Sequence, residues 1–156
     1  MSPPDRQIDE GYSLLYKLMS DESNVDKLLI IKHADKPVHD LVKEIAQFGR
    51  DAKKQLDDFK KGDPALVFDA AGLPAVEQEA RDQTSKFDAK QLLTSSGKTF
   101  ELRLIFTQTQ AMGYGTDLAS ALATHEQDAA RKAFLQSVSQ RCGTYRDRLL
   151  EALQVK

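Results

Sequence analysis

PVHDLVKEIAQFGRDAKKQLDDFKKGDP, from Pro37 to Pro64, carries the clearest periodic signal in the chain. Val38, Leu41, Val42, Ile45, Phe48, Gly49, Ala52, Leu56 and Phe59 follow the 3.6-residue period over about six turns, which places them on one face of an α-helix. Lys and Asp fill the intervening positions, as on a solvated face with i,i+4 charge pairs. Gly49 lies on the apolar stripe, where a missing side chain lets another helix approach closely. Asp35 or Lys36 precedes the helix. Gly62-Asp63-Pro64 closes it, with Gly62 expected as a left-handed cap.

Towards the N-terminus, Ile8, Tyr12, Leu15 and Met19 form another helical stripe. Ser20 to Asn24 interrupts it with short polar side chains that bond free backbone N–H groups, so a new helix start is expected there. Ser23 followed by Asp26 resembles a capping box, with Asp in place of Glu or Gln. Val25, Leu28, Leu29, Ile30 and Ile31 are expected to continue as a strongly buried helical segment, which Pro37 stops.

Towards the C-terminus, residues 65–72 form a connector whose apolar members are expected to pack over a bundle end, and Pro74 suits a first helical position. Leu73, Val76, Ala80, Phe87 and Leu92 mark a stripe diluted by Thr84 and many charges; Thr94-Ser95-Ser96-Gly97 breaks it. The next helix has Phe100, Arg103, Leu104, Thr107, Ala111, Tyr114 and Leu118 on one diagonal. Its more apolar side carries Leu102, Ile105, Phe106, Thr109, Met112, Gly113 and Leu122. Apolar over much of its girth, it is expected to be central. Thr124-His125-Glu126-Gln127 reads as a capping box. Ala130, Ala133, Phe134, Val138, Cys142, Tyr145, Leu149 and Leu153 then give a final amphipathic helix to the C-terminus. The expectation is an all-α domain spanning 1–156, an antiparallel four-helix bundle whose first helix is open to a split near Ser20.

Composition narrows the function classes. The 156 residues are 29% charged and 40% hydrophobic, which suits a soluble globular domain with a real core. Net charge is -2, so no overall positive field attracts phosphates, and the Lys53–Lys54 and Lys60–Lys61 pairs are interleaved with Asp51, Asp57, Asp58 and Asp63. Nucleic acid is not expected as a partner. No apolar run reaches the length of a membrane span. Cys142 stands alone and lacks the neighbours of a zinc site. The start, Met1-Ser2-Pro3-Pro4-Asp5, is not a signal peptide: it suits a cytoplasmic protein if native, a periplasmic or secreted one if the chain is a trimmed mature form.

Bundles that hold two metal ions use Glu and a Glu-x-x-His pair on facing helices. The residues three before His33, His39 and His125 are Ile30, Lys36 and Leu122, so the motif is absent. Met112-Gly113-Tyr114-Gly115 is the most distinctive string. Glycine inside a helix costs about 1 kcal/mol against Ala, so close helix contact is expected there, with a pocket beside Tyr114 as the functional alternative. Thr107 and Thr109 are expected to bond carbonyls of the preceding turn. Arg141, Arg146 and Arg148 are read as a solvated face. No catalytic residue, metal ligand or cofactor is nominated.

The order of elements carries a resemblance. A helix ends in Asp21-Glu22-Ser23-Asn24, a second runs from Val25 to His33, and a long Lys/Asp-rich helix follows. Then come a restart at Leu73-Pro74 and a terminal helix ending Tyr145-x-x-Arg148-Leu149. In this the chain resembles a family of bacterial bundle proteins of unknown function, described as ferritin-like and usually exported. The resemblance implies a fold and an exported location, not an activity, because the metal ligands of ferritin-like proteins are missing. Three readings follow. The first is a non-enzymatic module that binds a protein partner or stabilises an assembly. The second is a divergent metal- or small-ligand bundle using Glu22, Glu44, Glu101 or Glu126 with a His; the third is an enzyme with a site at Tyr114.

Overall fold

The computed structural model describes residues 3–154. Met1 and Ser2, the first part of the start read above as no signal peptide, and Val155 and Lys156, the end of the last expected helix, lie outside the described residues. The elements are α1 (Pro3–Glu22), a 3-10 turn (Val25–Lys27), α2 (Leu28–Ile31), α3 (Lys36–Gly62), α4 (Ala75–Thr94), α5 (Gly97–His125) and α6 (Ala129–Gln154). No strand occurs among the described residues, and none of the helices is long and apolar enough to cross a membrane. The expected count of four long helices is one short, because the diluted stripe after Pro74 is a full helix, α4. The split expected near Ser20 falls after Glu22.

Helix α1 packs against α3 and α5, and α6 against α3 and, most extensively, α5. Within each pair, residue numbers rise along one helix as they fall along the other, so neighbours are antiparallel. Tyr16 on α1 donates to Asp57 (2.9 Å), whereas the Ser23 carbonyl beyond its end accepts from Arg50 (2.8 Å). Phe48 meets Tyr145 with ring centroids 5.5 Å apart, and Phe59 meets Phe134 edge-on at 5.4 Å. Thr116 and Ser139 each donate a hydroxyl to the other's carbonyl, joining α5 to α6. The α3 stripe is buried from Val38 to Leu56, with Phe59 half-buried. At Gly49 an added Cβ would sit 2.8 Å from the Ser23 nitrogen and 3.0 Å from the Met19 carbonyl, so the close approach expected there is real. Gly115 likewise faces Cys142 Sγ (2.9 Å) and Leu18 (3.2 Å), whereas Gly113 has only Arg146 at 3.6 Å.

Several local expectations are corrected. Val25, Leu28 and Leu29 are only half-buried, and Ile30 and Ile31 are 80% and 67% exposed. Four successive apolar residues on a helix point all round it, so one short segment cannot bury them all. Pro37 does not stop that segment, which ends at Ile31; it lies in the first turn of α3, after the N-cap Asp35. The Ser23–Asp26 box does not form, since the Ser23 hydroxyl turns back to the Ser20 carbonyl (2.6 Å). Gly62 has no left-handed backbone; only Gly97, at the start of α5, has positive φ (60°) among the described residues. Pro74 is the N-cap of α4, one residue earlier than expected. Thr124 lies in the last turn of α5 and donates to the Ala121 carbonyl (2.6 Å). Asp128 caps α6 instead, accepting the Arg131 amide at 2.8 Å.

The connector behaves as expected. Leu66 is buried, Phe68 stacks on Tyr16 (4.8 Å), and the Ser13 hydroxyl accepts the Ala70 amide at 2.9 Å. It delivers α4 to the outside of α5, antiparallel to it, with Arg103 donating to Gln91 at one end and Arg81 over the Tyr114 ring (5.2 Å) towards the other. Leu92 is the buried residue of this 20-residue helix. Val76 and Phe87, expected on its core stripe, are 80% and 62% exposed, while Glu77, Arg81, Ser85 and Asp88 face the bundle.

Candidate functional site

The acids named from sequence go to separate places. Glu22 is the last residue of α1, and the contact permitted by Gly49 packs α3 against this turn. Its carboxyl is 6% exposed and takes a hydrogen bond from Gln108 of α5, itself 5% exposed. Glu22 Oε2 and Gln108 Oε1 have no hydrogen-bond partner in this buried pair. Burial first, then the charge of Asp21, pushes the Glu22 carboxyl up to about 8, so it is mostly protonated at neutral pH. Cys142 shares this interior. Burial and then Glu22 push its thiol up to about 12, which leaves it inert as a nucleophile at neutral pH.

Glu101, buried near the start of α5, accepts the Asp35 amide at 3.1 Å and so ties the chain ahead of α3 to α5. Glu126 lies just past the other end of α5, roughly 40 Å away by helix rise. It accepts the Tyr12 hydroxyl (2.5 Å), the Asp128 amide (2.8 Å) and Arg131 (3.0 Å), and Arg131 also reaches Asp63 (3.1 Å). Burial works against the Glu126 carboxylate, but these donors together hold it below its ordinary range. Burial and the Glu126 hydrogen bond push the Tyr12 hydroxyl up. This is a satisfied ionic knot that locks α1, the α3 end and the α5–α6 corner. Glu44 is exposed and paired with Arg148 (2.5 Å).

The imidazoles stay outside. His33 and His125 are exposed, and His39 lies 3.4 Å from Asp40. Among the described residues no group of three or more His, Cys, Asp or Glu is placed to hold a metal ion. The arginines of α6 are engaged: Arg146 pairs with Asp147 (3.7 Å), and Arg141 lies over Phe48 (4.6 Å).

Beside Tyr114 the structure does form a cleft, of about 430 Å³, between α1, α4 and α5. Leu14, Leu18, Ala111 and Tyr114 floor it, and Glu77, Arg81, Thr84 and Asp88 of α4 overhang it. It is an open groove rather than a closed pocket. On this side α4 turns mostly polar side chains towards the bundle and leaves its large apolar ones, Val76 and Phe87, outside.

Comparison with protein families, curated proteins and solved structures gives a plain result. Nothing matches this chain. Its function is therefore read from its own surfaces.

Sequence reasoning missed Gln108 and Arg131. Gln108 stands in the sequence as a polar residue inside an apolar helix, but an inward position was weighed only for the neighbouring threonines. Both do bond the preceding turn, Thr107 to Leu104 (3.1 Å) and Thr109 to Ile105 (2.7 Å), while Gln108 takes the core position. Arg131 carried no local signal, because its partners come from distant parts of the chain.

Proposed function

We propose that the chain is a non-enzymatic bundle of the ferritin-like type, four helices with α4 added outside, that works by binding protein. One observation carries this reading. Among the described residues, large apolar side chains on α2 and α4 lie open to solvent: Ile30, Ile31, Val76, Phe87 and Leu93, all at least 52% exposed. The Lys32 ammonium on the Ser95 carbonyl (2.8 Å) ties the α2 corner to the Leu93 end of α4. Exposed large apolar residues in number support an interaction surface. The buried acids Glu101 and Glu126, by contrast, make contacts that hold the fold.

A photoreactive amino acid at position 31 or 87, with position 43 on the far face of α3 as control, tests the reading in the producing cells. Discrete protein adducts are expected from 31 and 87 and none from 43. Equal labelling from all three, or none, would overturn it. The small-ligand alternative has the cleft beside Tyr114 in its favour. A saturable thermal shift from a ligand, lost in Arg81→Ala, would support that reading instead.

A further inference from the structure

The exposed stripe of α4 has a regular repeat. Val76, Ala80, Gln83, Phe87, Lys90 and Thr94 follow one another at alternating spacings of four and three, and all are exposed. This is the seam spacing of a coiled coil, in which every third or fourth position returns to one line along the helix. The seam points away from α5, since Leu92 is buried and Arg81 covers Tyr114 on the other side. Flanking it on one edge are Glu79 and Lys86, one heptad apart, both exposed and of opposite charge.

We infer that this seam pairs with the same seam of a second copy of the chain, two α4 helices lying antiparallel across a two-fold axis. The inference rests on the protein-binding reading above and names the partner. In antiparallel packing, layers join positions of the two seams that mirror each other through the axis, and each edge faces the identical edge of the other helix. Placing Val76 against Phe87 of the second copy sets Ala80 against Gln83 and returns Phe87 to Val76. That same register sets Glu79 opposite Lys86 of the second copy, and Lys86 opposite its Glu79. One alignment therefore covers both large exposed side chains and forms two opposite-charge pairs. A parallel pairing would set Glu79 and Lys86 against the opposite edge of the partner helix, at Thr84 and Gln91, and lose both. In this register the two helices overlap over residues 75–88, a contact line of about 20 Å, so a reversible, concentration-dependent dimer is expected.

The experiment is sedimentation of the full chain from about 1 to 200 μM, a range that brackets micromolar association. Wild type is expected to pass from monomer to dimer, and Phe87→Asp to remain monomeric. Lys86→Glu makes both charge pairs repulsive and is expected to weaken the dimer about tenfold; adding Glu79→Lys should restore it. These side chains are exposed, so circular dichroism of each variant should match wild type. A wild type that stays monomeric throughout, or a dimer indifferent to Phe87→Asp and to the charge swap, overturns the inference. A monomer that still gives a discrete cross-linked adduct to another protein from position 87 overturns self-pairing alone. A monomer with no adduct from positions 31 and 87 overturns the protein-binding reading as well.

Discussion

Replacing Glu22 with Gln should stabilise the protein at neutral and alkaline pH, and the size of the gain follows from the carboxyl's surroundings. Its folded-state value of about 8 lies above the ordinary 4.5, so between those limits the folded protein holds a proton that the unfolded chain has released. A group whose folded value is raised in this way makes stability fall as pH rises through the interval, and the loss levels off above pH 8. At 1.36 kcal/mol per unit the full cost approaches roughly 5 kcal/mol at pH 9, and roughly 3 kcal/mol at pH 7. Gln has the same shape and no charge. Its amide can supply the donor that the Gln108 carbonyl oxygen lacks, while its own carbonyl keeps the bond from the Gln108 amide. Urea unfolding followed by circular dichroism at pH 5, 7 and 9 measures this, with the difference between variant and wild type cancelling the other titrating groups. The difference should be small at pH 5 and grow to a midpoint shift of about 1 M or more at pH 9. Parallel pH profiles for the two proteins would refute the reasoning, because Glu22 would then have to titrate alike in the folded and unfolded states.

Gly115→Leu should cost roughly 1–3 kcal/mol by driving a side chain into Cys142 and Leu18, whereas Gly113→Ala, with only Arg146 at 3.6 Å, should be neutral or gain up to about 1 kcal/mol; thermal melts separate the two, and equal effects would undo the packing argument. Asp128→Ala should lose about 1 kcal/mol from the α6 cap, while Thr124→Ala, whose hydroxyl only returns to its own helix, should lose less than about 0.5 kcal/mol. The reverse order in denaturation midpoints would move the cap back to Thr124. Protein purified without chelator should contain no stoichiometric iron, manganese or zinc by elemental analysis. About one equivalent or more, lost on Glu101→Ala or Glu44→Ala, would restore the metal-bundle reading.

The sequence by itself determined the helices and most of the core. Periodicity is a local property: a residue on the stripe of α3 or α6 shares a face with those three and four positions away whatever the rest of the chain does. The interior of α3 therefore followed from spacing alone, and so did the close contact at Gly49, whereas between Gly113 and Gly115 only the packed structure selects Gly115. Caps were read less well, because Thr124 and Asp128 both suit an N-cap and only the path of the corner selects between them. What tertiary structure alone decided is which surface each stripe meets. Glu22 is charged in sequence and buried in the fold because it ends the turn against which Gly49 draws α3. The α4 stripe is more dilute than the others but reads as a core stripe, yet its connector is pinned to α1 by Phe68 and Ser13 and its far end by Leu92, and Val76 and Phe87 turn outward. Periodicity says that a helix has an apolar face. It does not say whether that face belongs to the chain's own core or to another molecule.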